Sequence, residues 1–230
     1  MIGVNNLTFS YGDRRSDVSS SFGMRVDAFE VRRGASTALV GPSGSGKTTL
    51  LGLIAGTLRP NSGNIRVDDQ VITQFSDREL GNYRARNIGQ VFQSFELLNY
   101  LSIIENVILP WYITGYGRRA SALERARELL ASVGLETRAG AHPGELSQGE
   151  QQRVAVCRAM FSNPALLLAD EPTGNLDQEN KQNVVDLLRD QARKNNSTLL
   201  MVTHDESLLG SFDAVYDMGS IAQPLDAKSP

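Results

Sequence analysis

The run Gly41-Pro42-Ser43-Gly44-Ser45-Gly46-Lys47-Thr48 restricts this chain more than any other segment. It matches G-x-x-x-x-G-K-[ST] in full. It also follows a short apolar strand, Thr37–Val40, and precedes a helical stretch, Thr49–Ala55, which is the context a phosphate loop needs. Glycines let successive backbone N–H groups turn inward around phosphate oxygens. The helix that follows adds its positive end. Lys47 is placed to set a charge on the β- and γ-phosphates of a nucleotide, and Thr48 to offer its hydroxyl to Mg²⁺. Gly41, Pro42, Ser43, Gly44, Ser45, Gly46, Lys47, Thr48 and Thr49 are the candidate phosphate-binding residues.

A second constellation follows much later. The apolar run Leu166-Leu167-Leu168-Ala169 ends in Asp170-Glu171. In phosphate-loop enzymes an apolar strand ending in Asp supports Mg²⁺, and it is expected here beside the strand that feeds the loop. Glu171, at the strand tip, can polarise an attacking water.

The rest of the chain reads as alternating strands and helices. Ile2–Phe9 alternates as an edge strand would, and Met24–Val31 changes phase partway, which suggests a bulge. Ile65–Val67 with Val71–Ile72 reads as a hairpin, Asp77–Arg86 as a helix and Ile88–Phe92 as a strand. Ile103–Leu109, Ser121–Val133 and Glu150–Met160 show helical periodicity. Ala165–Ala169 and Thr198–Val202 read as buried parallel strands, Glu179–Lys194 as a helix between them, and Ala214–Tyr216 as a last strand. The expected fold is α/β: a phosphate-loop core from residues 1–92 and 162–230, with an antiparallel β part, and an inserted helical subdomain over 93–161.

These motifs together resemble the ATP-binding-cassette (ABC) ATPases, in that family's order and over nearly the whole chain. Phe9-Ser10-Tyr11-Gly12 is similar to the segment that stacks an aromatic ring on adenine, which gives Tyr11 that role. Val91-Phe92-Gln93 resembles the Q-loop, with Gln93 at the Mg²⁺ and the attacking water. Leu146-Ser147-Gln148-Gly149-Glu150 resembles the signature motif, in which Ser147, Gly149 and a helix N-terminus contact the nucleotide of a second protomer. Gly174-Asn175-Leu176-Asp177 resembles the D-loop, and Met201-Val202-Thr203-His204-Asp205 the H-loop, with His204 at the γ-phosphate. The resemblance therefore implies Glu171, His204 and Gln93 as catalytic residues. It implies Thr48, Gln93 and Asp170 as Mg²⁺ ligands, and Tyr11, Ser147, Gly149 and Asp177 as further ATP contacts. Two positions depart from the common L-S-G-G-Q pattern, Gln148 and Glu150; a demand for positive φ at Gln148 would cost on the order of 1 kcal/mol.

One phosphate loop and one signature per chain imply that two chains work together. The segment Ala169–Asp177 is most similar to the branch that holds lipoprotein-releasing, macrolide-exporting and cell-division ATPases. That branch implies ATP hydrolysis by a homodimer beneath integral membrane permease subunits, in export, extrusion or mechanical transmission. The alternative is an ATPase that regulates a membrane partner which activates an enzyme outside the cell. A soluble repair or translation ATPase would call for a long coiled-coil insertion, zinc cysteines or tandem cassettes, and the sequence contains none of these. Net charge is −3, with no basic field for nucleic acid. A single cysteine, Cys157, cannot form an internal disulfide, and its apolar neighbours imply a buried packing thiol. Neither a signal peptide nor a membrane-spanning run is expected, so the chain should sit in the cytoplasm and reach the membrane's inner face through its partner. Trp111 and Tyr112 read either as core or as a docking face for that partner.

Overall fold

The runs at 166–170 and 198–202 are short and apolar on both faces, and both become interior strands of a parallel sheet. The structure is a computed structural model and describes residues 1–11, 22–115, 117–174, 176 and 178–225. The first part of the chain forms β1 (Ile2–Ser10), β2 (Gly23–Val31), β3 (Ser36–Val40), α1 (Lys47–Ile54), β4 (Ser62–Val67) and β5 (Gln70–Val71). Next come α2 (Asp77–Asn87), β6 (Ile88–Phe92), α3 (Ile103–Val107), α4 (Leu109–Thr114), α5 (Arg119–Ser132) and α6 (Gln148–Met160). The chain returns through β7 (Leu166–Asp170), α7 (Gln178–Lys194), β8 (Thr198–Val202), β9 (Ala214–Asp217), α8 (Met218–Ile221) and β10 (Gln223–Pro224).

Two five-stranded sheets result. One is antiparallel, in the order β10-β2-β1-β4-β5, and the other parallel, in the order β6-β7-β8-β3-β9. The period-2 geometry of strands divides the parallel sheet's side chains between two cores. Leu166, Leu168, Leu200 and Val202 face α1 and the antiparallel sheet, whereas Leu167, Ala169, Leu199 and Met201 face the helices.

Three expectations are corrected here. β1 is not an edge strand but the middle of its sheet, paired with β2 on one side and β4 on the other. Its alternation reflects a sheet with one face buried, which a central strand shows equally well. The phase change in β2 is present, with Val26 and Phe29 both buried, but β1 and β2 stay in one register. The register shift lies between β1 and β4, at Asn5/Thr8, beside Asn6 at φ 49°. Third, the stretch Ile103–Leu109 does not run as one helix. It stops at Val107, and α4 begins again at Leu109 with Pro110 in its first turn, where a missing N–H removes no helical bond.

Serine caps set the starts of α2, α3 and α6. Ser76 opens α2 and Ser147 opens α6, each in a reciprocal capping box with the glutamate three residues on, Glu79 and Glu150. α6 then lies against β6 at Gly89, where an added Cβ would stand 2.4 Å from the carbonyl oxygen of Ala159. That obstacle is backbone, so Gly89→Ala must push α6 outward. It is expected to destabilise the protein by about 1–3 kcal/mol, lowering Tm by roughly 2–12 °C in thermal unfolding. An unchanged Tm would mean that α6 does not bear on β6 there.

Candidate functional site

The site is built where β3, β7 and β8 end together. Leu39 lies opposite Val202, and Asp170 opposite Val202 from the other side. Three carboxyl-terminal strand ends thus open at one level, the place where open parallel sheets bind ligands.

From β3 the chain enters the phosphate loop. Gly41, Gly44 and Gly46 hold φ at 147°, 79° and 95°, a sequence of turns that only glycine makes without strain. At Gly46 the need is also steric, since an added Cβ would meet the Phe22 ring at 2.7 Å and the Met24 sulfur at 3.1 Å. Lys47, 6% exposed, curls back so that its ammonium donates to the carbonyls of Gly41 and Pro42, each at 2.8 Å. Those bonds hold the loop closed around a cation. Ser45 Oγ is buried inside it without a hydrogen-bond partner, a hydroxyl that an anion's oxygen would satisfy. A loop turned by glycines, a fixed ammonium and an orphaned hydroxyl fit a phosphate chain.

Asp170 stands across from this loop, and Thr48 Oγ1 donates to its Oδ1 at 3.3 Å. The sequence reading put its strand beside β3. Instead β8 lies between β3 and β7. The intervening strand matters because its tip carries His204. Glu171 follows β7 at φ 45°, with its N–H bonded to Val202 O at 3.0 Å, and His204 Nδ1 lies 3.2 Å from Glu171 Oε2. Burial raises the pKa of Asp170. The Thr48 hydroxyl opposes this, the Glu171 charge adds to it and Lys47 pulls it down again. Two adjacent carboxyls with one ammonium near Asp170 make a site short of positive charge, and Thr48 and Asp170 are both hard oxygen donors.

Gln93 follows β6 and is exposed. It joins this cluster through a turn in which Gly174 N bonds to Glu171 O at 3.1 Å. An added Cβ on Gly174 would come within 2.8 Å of Gln93 Nε2, so the amide lies directly over that glycine. Lys181 of α7 bonds to Asp205 Oδ2 at 2.8 Å, and Ser207 bonds to the other oxygen at 2.6 Å. These bonds hold the Asp205 carboxyl down at about 2 and fix the residue after His204. Asp177 lies outside the described residues.

Tyr11 sits at the mouth of the loop. Its hydroxyl is 3.4 Å from Thr49 Oγ1, and its ring, half exposed, stands edge-to-face on Phe9 at 4.8 Å. Sequence reasoning missed Phe22, which lies 6.2 Å from Tyr11 and walls the loop at Gly46. Its aromatic character two residues before an apolar–polar alternation was the available signal. Ser147 and Gly149 stand apart from this group, at the start of α6. Ser147 is exposed, with its hydroxyl and N–H donating to Glu150, whose carboxyl these bonds hold below the usual range. Gln148 is the first helical residue and is not among those with positive φ, so its side chain carries no backbone penalty. Cys157 is buried, its thiol donating to Leu129 O at 3.4 Å, and burial raises its pKa to about 12.

Two substitutions separate the halves of this site. Lys47→Ala should leave the fold intact but remove tight Mg-ATP binding, and wild-type affinity by titration calorimetry would refute the phosphate site. Tyr11→Ala should weaken ATP binding by about 5- to 150-fold, the equivalent of losing roughly 1–3 kcal/mol of base stacking, while Tyr11→Phe changes little. Equal affinities for all three Tyr11 proteins would remove the ring from the base site.

Comparison with known proteins agrees with this geometry. Residues 25–174 match the ABC transporter family. The chain is 42% identical over 225 residues to the lipoprotein-releasing system ATP-binding protein LolD of Chromohalobacter salexigens, covering 97% of this chain and 93% of that protein. It is 44% identical over 220 residues to LolD of Syntrophotalea carbinolica, covering 95% and 94%. Among solved structures, the dimeric post-hydrolysis state of the ATP-binding cassette MJ0796 bound to ADP and Pi superposes with a TM-score of 0.84. It has 31% identity, over 98% of this chain and 99% of that one. A phosphate loop facing a Glu–His pair, on this fold and with these relatives, places the chain in the ABC transporter family as an ATP-binding, ATP-hydrolysing cassette.

Proposed function

We propose that two copies of this chain close on ATP and drive a membrane partner, with Glu171 as general base and His204 and Gln93 at the reacting phosphate. The observation that carries this reading is the Glu171–His204 contact at 3.2 Å, opposite the Lys47 loop. A carboxylate at a strand tip, beside an imidazole, faces the point where the last phosphate of a bound triphosphate would lie. Glu171 takes a proton from water there, and His204 orients the carboxylate and the phosphate oxygen. Thr48, Asp170 and Gln93 would hold Mg²⁺, which when bound screens phosphate charge.

Ser147 supports the paired arrangement. It and the N-terminus of α6 are exposed and take no part in their own chain's phosphate loop. A second copy would present its phosphate chain to that helix end. The MJ0796 cassettes in the matched structures are dimeric, which favours the same assembly here.

A different surface supports the reading of a membrane partner. A cleft of about 500 Å³ opens between α2, α4, α5 and the end of α6, lined by Arg86, Trp111, Thr114, Arg118 and Phe161. Tyr112 and Ile113 stand exposed on the same helix as Trp111. The segment Ser94–Leu98 is not among the residues that line it. A cytoplasmic helix of the partner, anchored by an apolar side chain, fits this cleft. Among the described residues no helix is long and apolar enough to cross a membrane, so attachment to the inner face would run through that contact. The lipoprotein-releasing relatives favour export or release as the work performed.

Glu171→Gln keeps the shape and removes the base, so hydrolysis should fall by about 10²–10⁴. By size-exclusion chromatography with light scattering, that protein should be monomeric alone and with ADP, and dimeric with ATP. Adding Ser147→Arg should abolish the dimer. Near-normal hydrolysis by Glu171→Gln would sink the catalytic assignment.

A further inference from the structure

After β6 the chain turns through Gln93–Leu98 toward α3. Two consecutive residues of that turn, Phe95 and Glu96, hold φ at 60° and 51°. This is the left-handed region, which neither a bulky aromatic nor a glutamate enters without strain. Phe95 is also buried, at 8% exposed.

The strain is held from outside the turn. Arg158, on α6, donates from Nη2 to Phe95 O at 2.6 Å and from Nη1 to Glu96 O. A guanidinium fork is suited to two carbonyls in one plane. Burial lowers the pKa of Arg158, and the Glu96 carboxylate opposes that shift. The next residue, Ala159, is where Gly89 of β6 meets the helix backbone. The far end of the loop is fixed separately by Asn106. This residue is fully buried, accepting from Leu98 N at 2.8 Å and donating to the carbonyls of Leu98, Leu101 and Ser102. Gln93 lies two residues before the strained pair, and Ser147 caps the other end of the helix that bears Arg158.

We propose that Arg158 is a positioning residue that couples Gln93 to the signature helix, by clamping the left-handed turn at Phe95–Glu96 to α6. A shift of Gln93 at the nucleotide is then delivered to α6 as a rigid displacement, and α6 carries it to Ser147. The inference rests on the reading of Gln93 and Ser147 as nucleotide-facing residues.

Arg158→Lys keeps the charge but replaces the fork by a point donor. In that protein kcat for ATP should fall on the order of tenfold to a hundredfold, with KM little changed. In the Glu171→Gln background, ATP binding to the monomer should be unaltered while ATP-driven dimerisation weakens. Glycine adopts the left-handed turn freely, so Glu96→Gly relieves strain in the turn without restoring its link to α6. Arg158→Lys combined with Glu96→Gly should therefore fold but stay as slow as Arg158→Lys, and this pair is the deciding measurement if Arg158→Lys alone does not fold. Recovery of most of kcat in the double variant would overturn the proposal, because it would leave Arg158 only the task of holding the strained turn. So would a fall in Tm and ATP affinity with kcat unchanged. Gln93→Ala separates the two readings. If it hydrolyses ATP at the wild-type rate, the assignment of Gln93 fails and the coupling with it. If it is slow while Arg158→Lys is fast, the coupling alone fails.

Discussion

The position of β8 between β3 and β7 decides where each charged group of the site stands. Neighbouring strands lie about 4.8 Å apart, so inserting one strand separates the phosphate loop from the Asp170 strand by about 10 Å. Thr48 and Asp170 still meet across that span, at 3.3 Å. The room so created is occupied by the tip of β8 itself, which brings His204 against Glu171. A sheet with β7 directly beside β3 would leave no place between them for an imidazole. The continuous burial of β7 and β8 on both faces secures this order, because a one-residue slip of either would exchange the leucines of the two cores.

Backbone strain gathers at the same edge. Among the described residues, the non-glycine positions with positive φ include Asn6, Asp68, Asn163 and Asn196, residue types that tolerate it. The other three, Phe95, Glu96 and Glu171, do not, and all follow the carboxyl ends of β6 or β7. Strain of this kind persists only where surrounding contacts impose it, and it marks parts of a structure poised to move or to react. At Glu171 the imposing contact is its N–H on Val202; at Phe95 and Glu96 it is Arg158.

What could be read in the sequence was what has a local signature. The strands Ile88–Phe92 and Thr198–Val202 form with the expected bounds, since an apolar run between helical stretches leaves little choice. The phosphate loop forms at its motif because the glycines alone permit its turns. Strand order was not legible. No local pattern in 166–170 says whether it neighbours β3, and alternation in β1 reports one buried face without saying how many partners it has. The break between α3 and α4 was legible in Pro110 but was outweighed by the apolar periodicity around it. The turn at Phe95–Glu96 carried no signal, since neither residue type belongs to left-handed turns and the contact that holds it comes from residue 158. Phe22 was hidden for a similar reason: its partner Gly46 is distant in sequence, and only the fold joins them.

The same strand order sets a schedule for biosynthesis. β3 carries the phosphate loop near the start of the chain, yet its two neighbours are β8 and β9, from residues 198–202 and 214–217. At translation speeds of about 5–20 residues per second, the ribosome needs roughly 10–30 s to make the segment between β3 and β8. Throughout that interval an apolar strand has no partner on either edge. One of the loop's packing contacts is equally late, because Met218, whose Cβ lies against Gly41, comes after both neighbours. The nascent chain therefore carries its phosphate loop without either neighbouring strand for most of its synthesis. It must also keep an aggregation-prone edge occupied, by premature contacts or by a chaperone, until its last strands emerge.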